Sequence, residues 1–288
     1  MKGVILAGGK GSRLYPVTAS VGKGLLPIYN KPMVFYGLSL LFSSGINDIS
    51  LVCTERDYPA YKRLLADRFK EFGININITI EYEAKGPANA LKLVKDEIKG
   101  NDIALIFCDN LFVSPKLSYK IKKASKNLDG VVLFAKEVPD PERFGVIETD
   151  ENDNVLSIEE KPEKAKSNLV TTGLMLYSKD MIDKLEQLKP SKRGEYETTD
   201  LNNMFLQEGR AKFIKLEKDC LWLDTGTHDS LLESSYIIKN YEEKNKVYGC
   251  PEISLFEEEK IDYDTLKNVI KSYPKDYQQA ILQSVVCK

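Results

Sequence analysis

Histidine and tryptophan are almost missing from these 288 residues: each occurs once, as His228 and Trp222. A single imidazole excludes a catalytic triad that needs a second histidine, and it leaves a structural zinc site without paired ligands. The five cysteines, Cys53, Cys108, Cys220, Cys250 and Cys287, form no C-x-x-C pair and are odd in number. They read as reduced thiols of a cytoplasmic protein. An excess of one charge is also lacking. Lysine and arginine total 41 against 43 aspartates and glutamates, a net charge of −2, so no nucleic-acid footprint is expected. The run Glu257-Glu258-Glu259 reads as a solvated face. No stretch approaches the ~20 apolar residues of a membrane span. The apolar start ends at Gly8-Gly9, too short for a signal peptide. A soluble, cytoplasmic chain without membrane or nucleic-acid partners is the expectation.

What is present is a strand–helix alternation in a chain 42% hydrophobic, enough for a large core. Val4 to Ala7 is a continuous apolar run that suits a strand buried on both faces. Pro32 opens and Gly45 closes a helix. Strands are expected at 49–53, 76–82, 103–107 and 131–135, with helices at 57–71, 88–98 and 117–124 between them. The second half mixes strands at 144–149, 155–158 and 172–177, partly antiparallel, with helices at 180–188, 199–207 and 227–244. Beyond Val247 the pattern weakens, and helices at 261–270 and 276–285 are expected outside the main sheet. This is an α/β chain with a mixed, mostly parallel sheet covered on both faces. Its expected division is a core over 1–245, with halves about 1–115 and 116–245, and a small C-terminal helical appendage over 246–288.

The strongest local feature is Leu6-Ala7-Gly8-Gly9-Lys10-Gly11-Ser12-Arg13-Leu14-Tyr15-Pro16. A strand runs into a glycine-rich turn, whose successive N–H groups can cradle anions, and Arg13 brings a fixed cation to the same place. The spacing is neither G-x-G-x-x-G nor a loop ending in Gly-Lys-Ser/Thr. A plain strand-to-helix turn remains open on this evidence alone. Lys23, between Gly22 and Gly24, is a second cation on the same segment. By itself it reads as a surface lysine. Asp109 follows a buried strand, where ligands gather in open α/β sheets, and Asp224 follows another strand-like stretch.

Gly8-Gly9-x-Gly11-x-Arg13-Leu14-x-Pro16 followed by Lys23-x-Leu25-Leu26-Pro27 resembles the signature of sugar-1-phosphate nucleotidyltransferases, most closely their glucose-1-phosphate thymidylyltransferase branch. Further matching segments run in order along nearly the whole chain: Cys108-Asp109-Asn110, Pro141 to Val146, Ile158 to Pro162, Thr172-Gly173-Leu174 and Trp222 to His228. The resemblance implies a Rossmann-like core, Mg²⁺ dependence and a homo-oligomer, usually a tetramer. It also implies condensation of a sugar-1-phosphate, most simply glucose-1-phosphate, with a nucleoside triphosphate, most simply dTTP, to give a nucleotide-sugar and pyrophosphate. On that resemblance Arg13, Lys23 and Lys161 are the catalytic cations. Gly8, Gly9, Gly11, Glu81, Gly86 and Asp109 face the nucleotide. Gly145, Glu160, Lys161, Thr171 and Arg193 face the sugar phosphate, with Gly173 another close approach of backbone to the sugar. Asp109 and Asp224 hold the metal. His228 matches a helix start and is structural. The nucleophile, a phosphate oxygen, is already anionic, so positioning and charge neutralisation carry the rate.

The chain departs from the family on the nucleotide side. Glu81 stands where glutamine is usual, Gly22 and Gly24 replace serine and glutamine beside Lys23, and the stretch before Gly86 is changed. Glutamine offers a donor and an acceptor to thymine, whereas an ionised glutamate only accepts. This leaves CTP, GTP or UTP, or a modified sugar, as alternatives. Phe112-Val113-Ser114-Pro115 and Glu257 also differ from a second, regulatory nucleotide site found in relatives, and the expectation is that the same anionic effector does not act here. A non-catalytic nucleotide-sugar binder is the remaining alternative. Retention of Arg13, Lys23, Asp109, Lys161 and Asp224 argues against it.

Overall fold

The computed structural model describes residues 1–244 and 246–286. Its main sheet has nine strands: β1 (Lys2–Ala7), β4 (Asp48–Thr54), β5 (Asn75–Glu81), β6 (Ile103–Phe107), β8 (Val131–Glu137), β9 (Gly145–Thr149), β10 (Val155–Glu160), β11 (Leu169–Tyr177) and β12 (Ala211–Lys215). Two short ribbons complete the count, β2 (Pro27–Ile28) with β3 (Lys31–Pro32), and β7 (Asn110–Val113) with β13 (Leu221–Asp224). The main path runs β10-β9-β11-β6-β1-β4-β5, and β8 joins β11 and carries β12. Pairing is parallel from β6 through β1 and β4 to β5, and antiparallel where β11 meets β6, β8 and β9.

The apolar runs explain this layout. In β1, Ile5 enters the core on one face and Val4 the core on the other, both fully buried. That two-sided burial needs the unbroken run seen in the sequence. β5 alternates instead, because it ends the sheet: Ile76 and Ile78 pack on the core while Asn75 and Asn77 face outward. β5 points its carboxyl end the same way as β1, β4 and β6, so the loops after residues 7, 54, 81 and 107 share one rim.

Several elements differ from the sequence-based expectation for local reasons. Pro32 does not open a helix. Met33 N–H bonds to Leu26 O at 2.9 Å, closing the β2–β3 ribbon, and the helix starts at Val34. The helix expected over 57–71 stops at Leu65 and resumes as a short turn over Lys70–Phe72, because Arg68 is drawn to buried Glu252 at 2.8 Å. The helix expected over 88–98 breaks at buried Val94, which bonds back only three residues, to Leu91 O at 3.2 Å. An unexpected helix, Pro251–Glu257, packs on the helix Val34–Ser43, where Ser39 and Ser254 hydroxyls lie 2.6 Å apart. Apolar residues of the C-terminal helices, among them Leu255, Leu266 and Ile281, are continuous with the core under the sheet.

Cys53, Cys108, Cys220 and Cys250 are buried and free, and burial pushes the Cys53 and Cys108 thiols up to about 12, which leaves them inert. Cys287 lies outside the described residues.

Candidate active site

Three groups of side chains meet along the rim at the carboxyl ends of the sheet. The central group forms where β6 ends. Asp109 follows Phe107-Cys108, and the ribbon β7–β13 places Asp224 opposite Asn110. Thr225 fastens the two turns together: its N–H and hydroxyl donate to Asp109 O at 3.1 and 2.9 Å. Asn110 organises the rest. Its amide donates to Asp109 Oδ1 at 2.8 Å, and its carbonyl accepts from Trp222 Nε1 at 2.7 Å and Gly173 N–H at 3.2 Å. Gly173 has no side chain because a Cβ there would run into the Asn110 amide. Gly173 thus serves to seat Asn110, a role distinct from the approach to sugar that the resemblance implies.

Lys23 Nζ reaches Asp109 Oδ2 at 2.6 Å. Burial opposes the charge of Asp109, but Lys23 and the Asn110 amide outweigh it and hold this carboxyl below its ordinary range. Asp224 behaves oppositely. Burial, then the like charge of Asp109, pushes it up, against the pull of Lys23, Arg13 and Arg143. Arg143 Nη2 lies 3.2 Å from Asp224 Oδ2. Arg13 stands exposed on a short turn over Ser12–Leu14, its guanidinium against the backbone at Gly226. Arg13, Lys23, Asp109 and Asp224 therefore share one place.

Two carboxylates of opposed tendency side by side are suited to a hard divalent cation, which uses few carboxylates and fills its shell with phosphate and water oxygens. Such a cation removes the mutual repulsion that raises Asp224. Among the described residues there is no cluster of three or more acidic, histidine or cysteine ligands, so the pair would have to borrow its remaining ligands from substrate.

A second group lies on the β9–β10–β11 flank. Gly145 pairs with Glu160 across β9 and β10. A Cβ at Gly145 would stand 2.7 Å from Thr171 Oγ1, so glycine is what lets Glu160, Thr171 and Thr199 close around it. Thr199 donates to Glu160 Oε2 at 2.6 Å. Lys161 and Arg193 place cations 3.5 and 3.6 Å from Glu160 Oε1, and Arg193 also pairs with buried Glu197 at 3.0 Å. The result is a pocket edge with acceptor oxygens inside and two exposed cations outside.

The third group lies on the opposite flank. The Glu81 side chain, 6% exposed, reaches from the end of β5 over β4 to Gly8 and the Gly9 N–H. Burial raises this carboxyl, with the Gly9 N–H in opposition. Gly9 has φ 85°, and Gly11, φ 59°, is held by Thr18, whose hydroxyl donates to Gly11 O at 2.8 Å. Gly86, φ 102°, lies so close to Tyr196 that a Cβ would stand 2.6 Å from its carbonyl oxygen. It joins the loop after β5 to the segment carrying Arg193, through Tyr196 N–H to Lys85 O at 2.7 Å. His228 sits apart, its Nε2 3.3 Å from Tyr15 O at the start of the helix His228–Lys244.

Arg143, Asn110 and Thr199 were not singled out from the sequence. The segments carrying Asn110 and Arg143 belong to the matching motifs, which is the signal that was there to use; Thr199 gave none beyond a helix start.

Residues 2–241 match the family described as nucleotidyl transferase. A glucose-1-phosphate thymidylyltransferase of Neisseria meningitidis serogroup A is 40% identical over 286 residues, 98% of this chain and 99% of that protein. One from Mycolicibacterium smegmatis is 39% identical, covering 98% of both. Among solved structures, a Bacillus anthracis protein, provisionally assigned as a glucose-1-phosphate thymidylyltransferase and crystallised with sucrose, superposes with a TM-score of 0.76. It is 34% identical and covers 84% of this chain and 96% of its own.

Proposed function

The chain belongs to the nucleotidyl transferase family, and from that premise we propose that it joins a sugar-1-phosphate, most simply glucose-1-phosphate, to dTTP, forming a nucleotide-sugar and releasing pyrophosphate. The observation that carries the reading is the layout of the rim: an acid pair with Lys23 and Arg13 at the centre, and a different binding group on each flank. A reaction between two phosphorylated substrates needs this arrangement.

On the sugar flank, ionised Glu160 accepts hydrogen bonds from sugar hydroxyls, with its other side held by Thr199. Lys161 and Arg193 neutralise and aim the attacking phosphate. On the other flank the glycine loop offers its backbone to the nucleotide. A sugar-phosphate oxygen then attacks the α-phosphorus in line, the bond to the β-phosphate oxygen breaks, and pyrophosphate leaves with that electron pair. No proton is transferred, so no general base is required. Arg13, free of any ion pair among the described residues, is available for the charge that builds on the leaving group, and Lys23 for the nucleotide phosphates. Asp109 and Asp224 would hold Mg²⁺, which supplies charge neutralisation between the phosphates. The described residues contain no helix long and apolar enough to cross a membrane. A cytoplasmic location is part of this reading, supported by the free thiols of Cys53, Cys108, Cys220 and Cys250. Assembly as a homo-oligomer rests on the family resemblance.

The test is pyrophosphate release from glucose-1-phosphate, Mg²⁺ and each of dTTP, UTP, CTP, GTP and ATP. Release with dTTP is expected. No release with any triphosphate, over a panel of sugar phosphates, would overturn the reading and favour a non-catalytic binder.

A further inference from the structure

The nucleotide flank presents a problem that its geometry also answers. With the phosphate cations at the ends of β1 and β6, and the sugar group on the β9–β11 side, a nucleoside has the ends of β4 and β5 left to it. Two carboxylates are buried there, Asp57, already engaged by Arg56 and the Gly22 N–H, and Glu81. The Lys23 loop cannot help it. A side chain at position 22 would collide with the Asp57 carboxylate, which already accepts the Gly22 N–H at 2.8 Å. One at position 24 would collide with the Tyr61 hydroxyl and Cys108. Nor does any cation help. Asp57 is paired with Arg56, Glu83 and Lys85 pair with each other in solvent, Lys10 stands exposed, and β4 offers Thr54 as the register partner of Glu81. Among the described residues no ion pair reaches Glu81.

Glu81 is therefore the buried carboxylate on this flank that no cation pairs with among the described residues, and an ionised carboxylate has only acceptors. Thymine and uracil present an acceptor, O4, beside a donor, N3–H. A carboxylate matches one and repels the other. A carboxylic acid matches both, since it carries one donor and one acceptor on adjacent oxygens, as an amide does.

Resting on the thymidylyl-transfer reading above, we propose that Glu81 is the base-reading residue and that it binds dTTP in its neutral, protonated form, accepting from N3–H and donating to O4. The geometry favours that form: the side chain is nearly enclosed, no ion pair among the described residues stabilises its charge, and burial raises it against the opposing Gly9 N–H. The free protein ionises Glu81 as pH rises, so dTTP binding must then take up a proton and grows weaker. The apparent affinity follows the protonated fraction, which falls about tenfold per pH unit above the carboxyl's pKa.

The experiment compares wild type with Glu81→Gln, whose amide fixes the same donor and acceptor at every pH. KM for dTTP is measured from pH 6 to 9. Protons taken up on dTTP binding are counted by calorimetry in two buffers of different ionisation enthalpy. The ratio of wild-type to Glu81→Gln KM should climb with pH, and at the alkaline end wild type should take up more protons per dTTP than the variant. Comparison with inorganic triphosphate, which has the phosphates and no base, gives the same proton difference within wild type should the variant misfold. Parallel KM profiles with equal proton counts would overturn the proposal. If dTTP is turned over but shows that equality, only the proposal falls. If the proton difference is present and no triphosphate is turned over, the proposal stands and the transferase reading falls.

Discussion

Lys31 and Glu242 form a buried ion pair, and removing one side of it should be costly in a way that removing both is not. Lys31 is 3% exposed and Glu242 7%, with Nζ 2.6 Å from Oε1. Lys31 also donates to Asn30 Oδ1 at 2.6 Å and lies over the rings of Tyr36 and Tyr277. Lys31→Met keeps most of the stem and deletes the charge, leaving the Glu242 carboxylate enclosed. Breaking a buried pair from one side costs about 3–5 kcal/mol. Here the lower end applies, because Glu242 keeps the Tyr248 N–H at 3.0 Å and the Asn30 amide at 3.1 Å. Replacing both, as Lys31→Met with Glu242→Leu, should recover most of the loss, since a buried pair exchanged for apolar groups is close to neutral. Urea unfolding of the wild type, both single variants and the double variant closes the cycle. A single variant costing under about 1 kcal/mol, the range of an exposed pair, or a double variant equal to the sum of the singles, would refute this account.

The remaining expectations concern the rim and the acid limb of stability. Arg13→Ala and Asp109→Ala should each cut kcat by about 10²–10³, roughly 3–4 kcal/mol, with little change in unfolding midpoint; a normal rate in either variant would remove that residue from the mechanism. Glu160→Gln should raise KM for the sugar phosphate while leaving that for dTTP unchanged, because Glu160 and Glu81 lie on opposite flanks of the sheet; steady-state kinetics with each substrate varied would show it. Asp180 is held down at about 2, chiefly by Arg210 at 2.8 Å, from an ordinary 3.8. Its contribution is complete above the unfolded value and is lost as pH falls from 3.8 towards 2. Arg210→Met should flatten the midpoint–pH curve in that window and leave it unchanged in shape near neutrality.

The parallel strands β1, β4 and β6 were legible because they are buried on both faces and so advertise themselves as apolar runs, and edge strand β5 was legible by its alternation. The helix Pro251–Glu257 was not, for the opposite reason. Its buried face carries Glu252, paired with Arg68, and Ser254, bonded to Ser39, so the apolar spacing that marks a helix is absent. The break after Leu65 likewise follows from a tertiary partner, Glu252 for Arg68, that no local pattern records. Within the candidate site, Arg13 and Lys23 were readable as motif residues of the glycine-rich segment, and Asp109 and Asp224 as motif residues at strand ends. Asn110 does its work across the β7–β13 ribbon, whose pairing the sequence does not reveal; Arg143 reaches Asp224 of that ribbon from a turn 81 residues earlier, and Thr199 acts by facing a strand 39 residues earlier in the chain.

The strand order has a consequence for how such a protein can change. Glu81 and the glycine loop stand on one side of the acid pair, anchored to β5 and β1, and Gly145 and Glu160 on the other, anchored to β9 and β10, with Thr199 facing them from a helix. Under the proposed function, a substitution that alters which base is accepted need not disturb which sugar is accepted, and the reverse holds too. Mutational drift, or a laboratory library, can therefore explore the two preferences as separate traits while the central carboxylates and cations stay fixed.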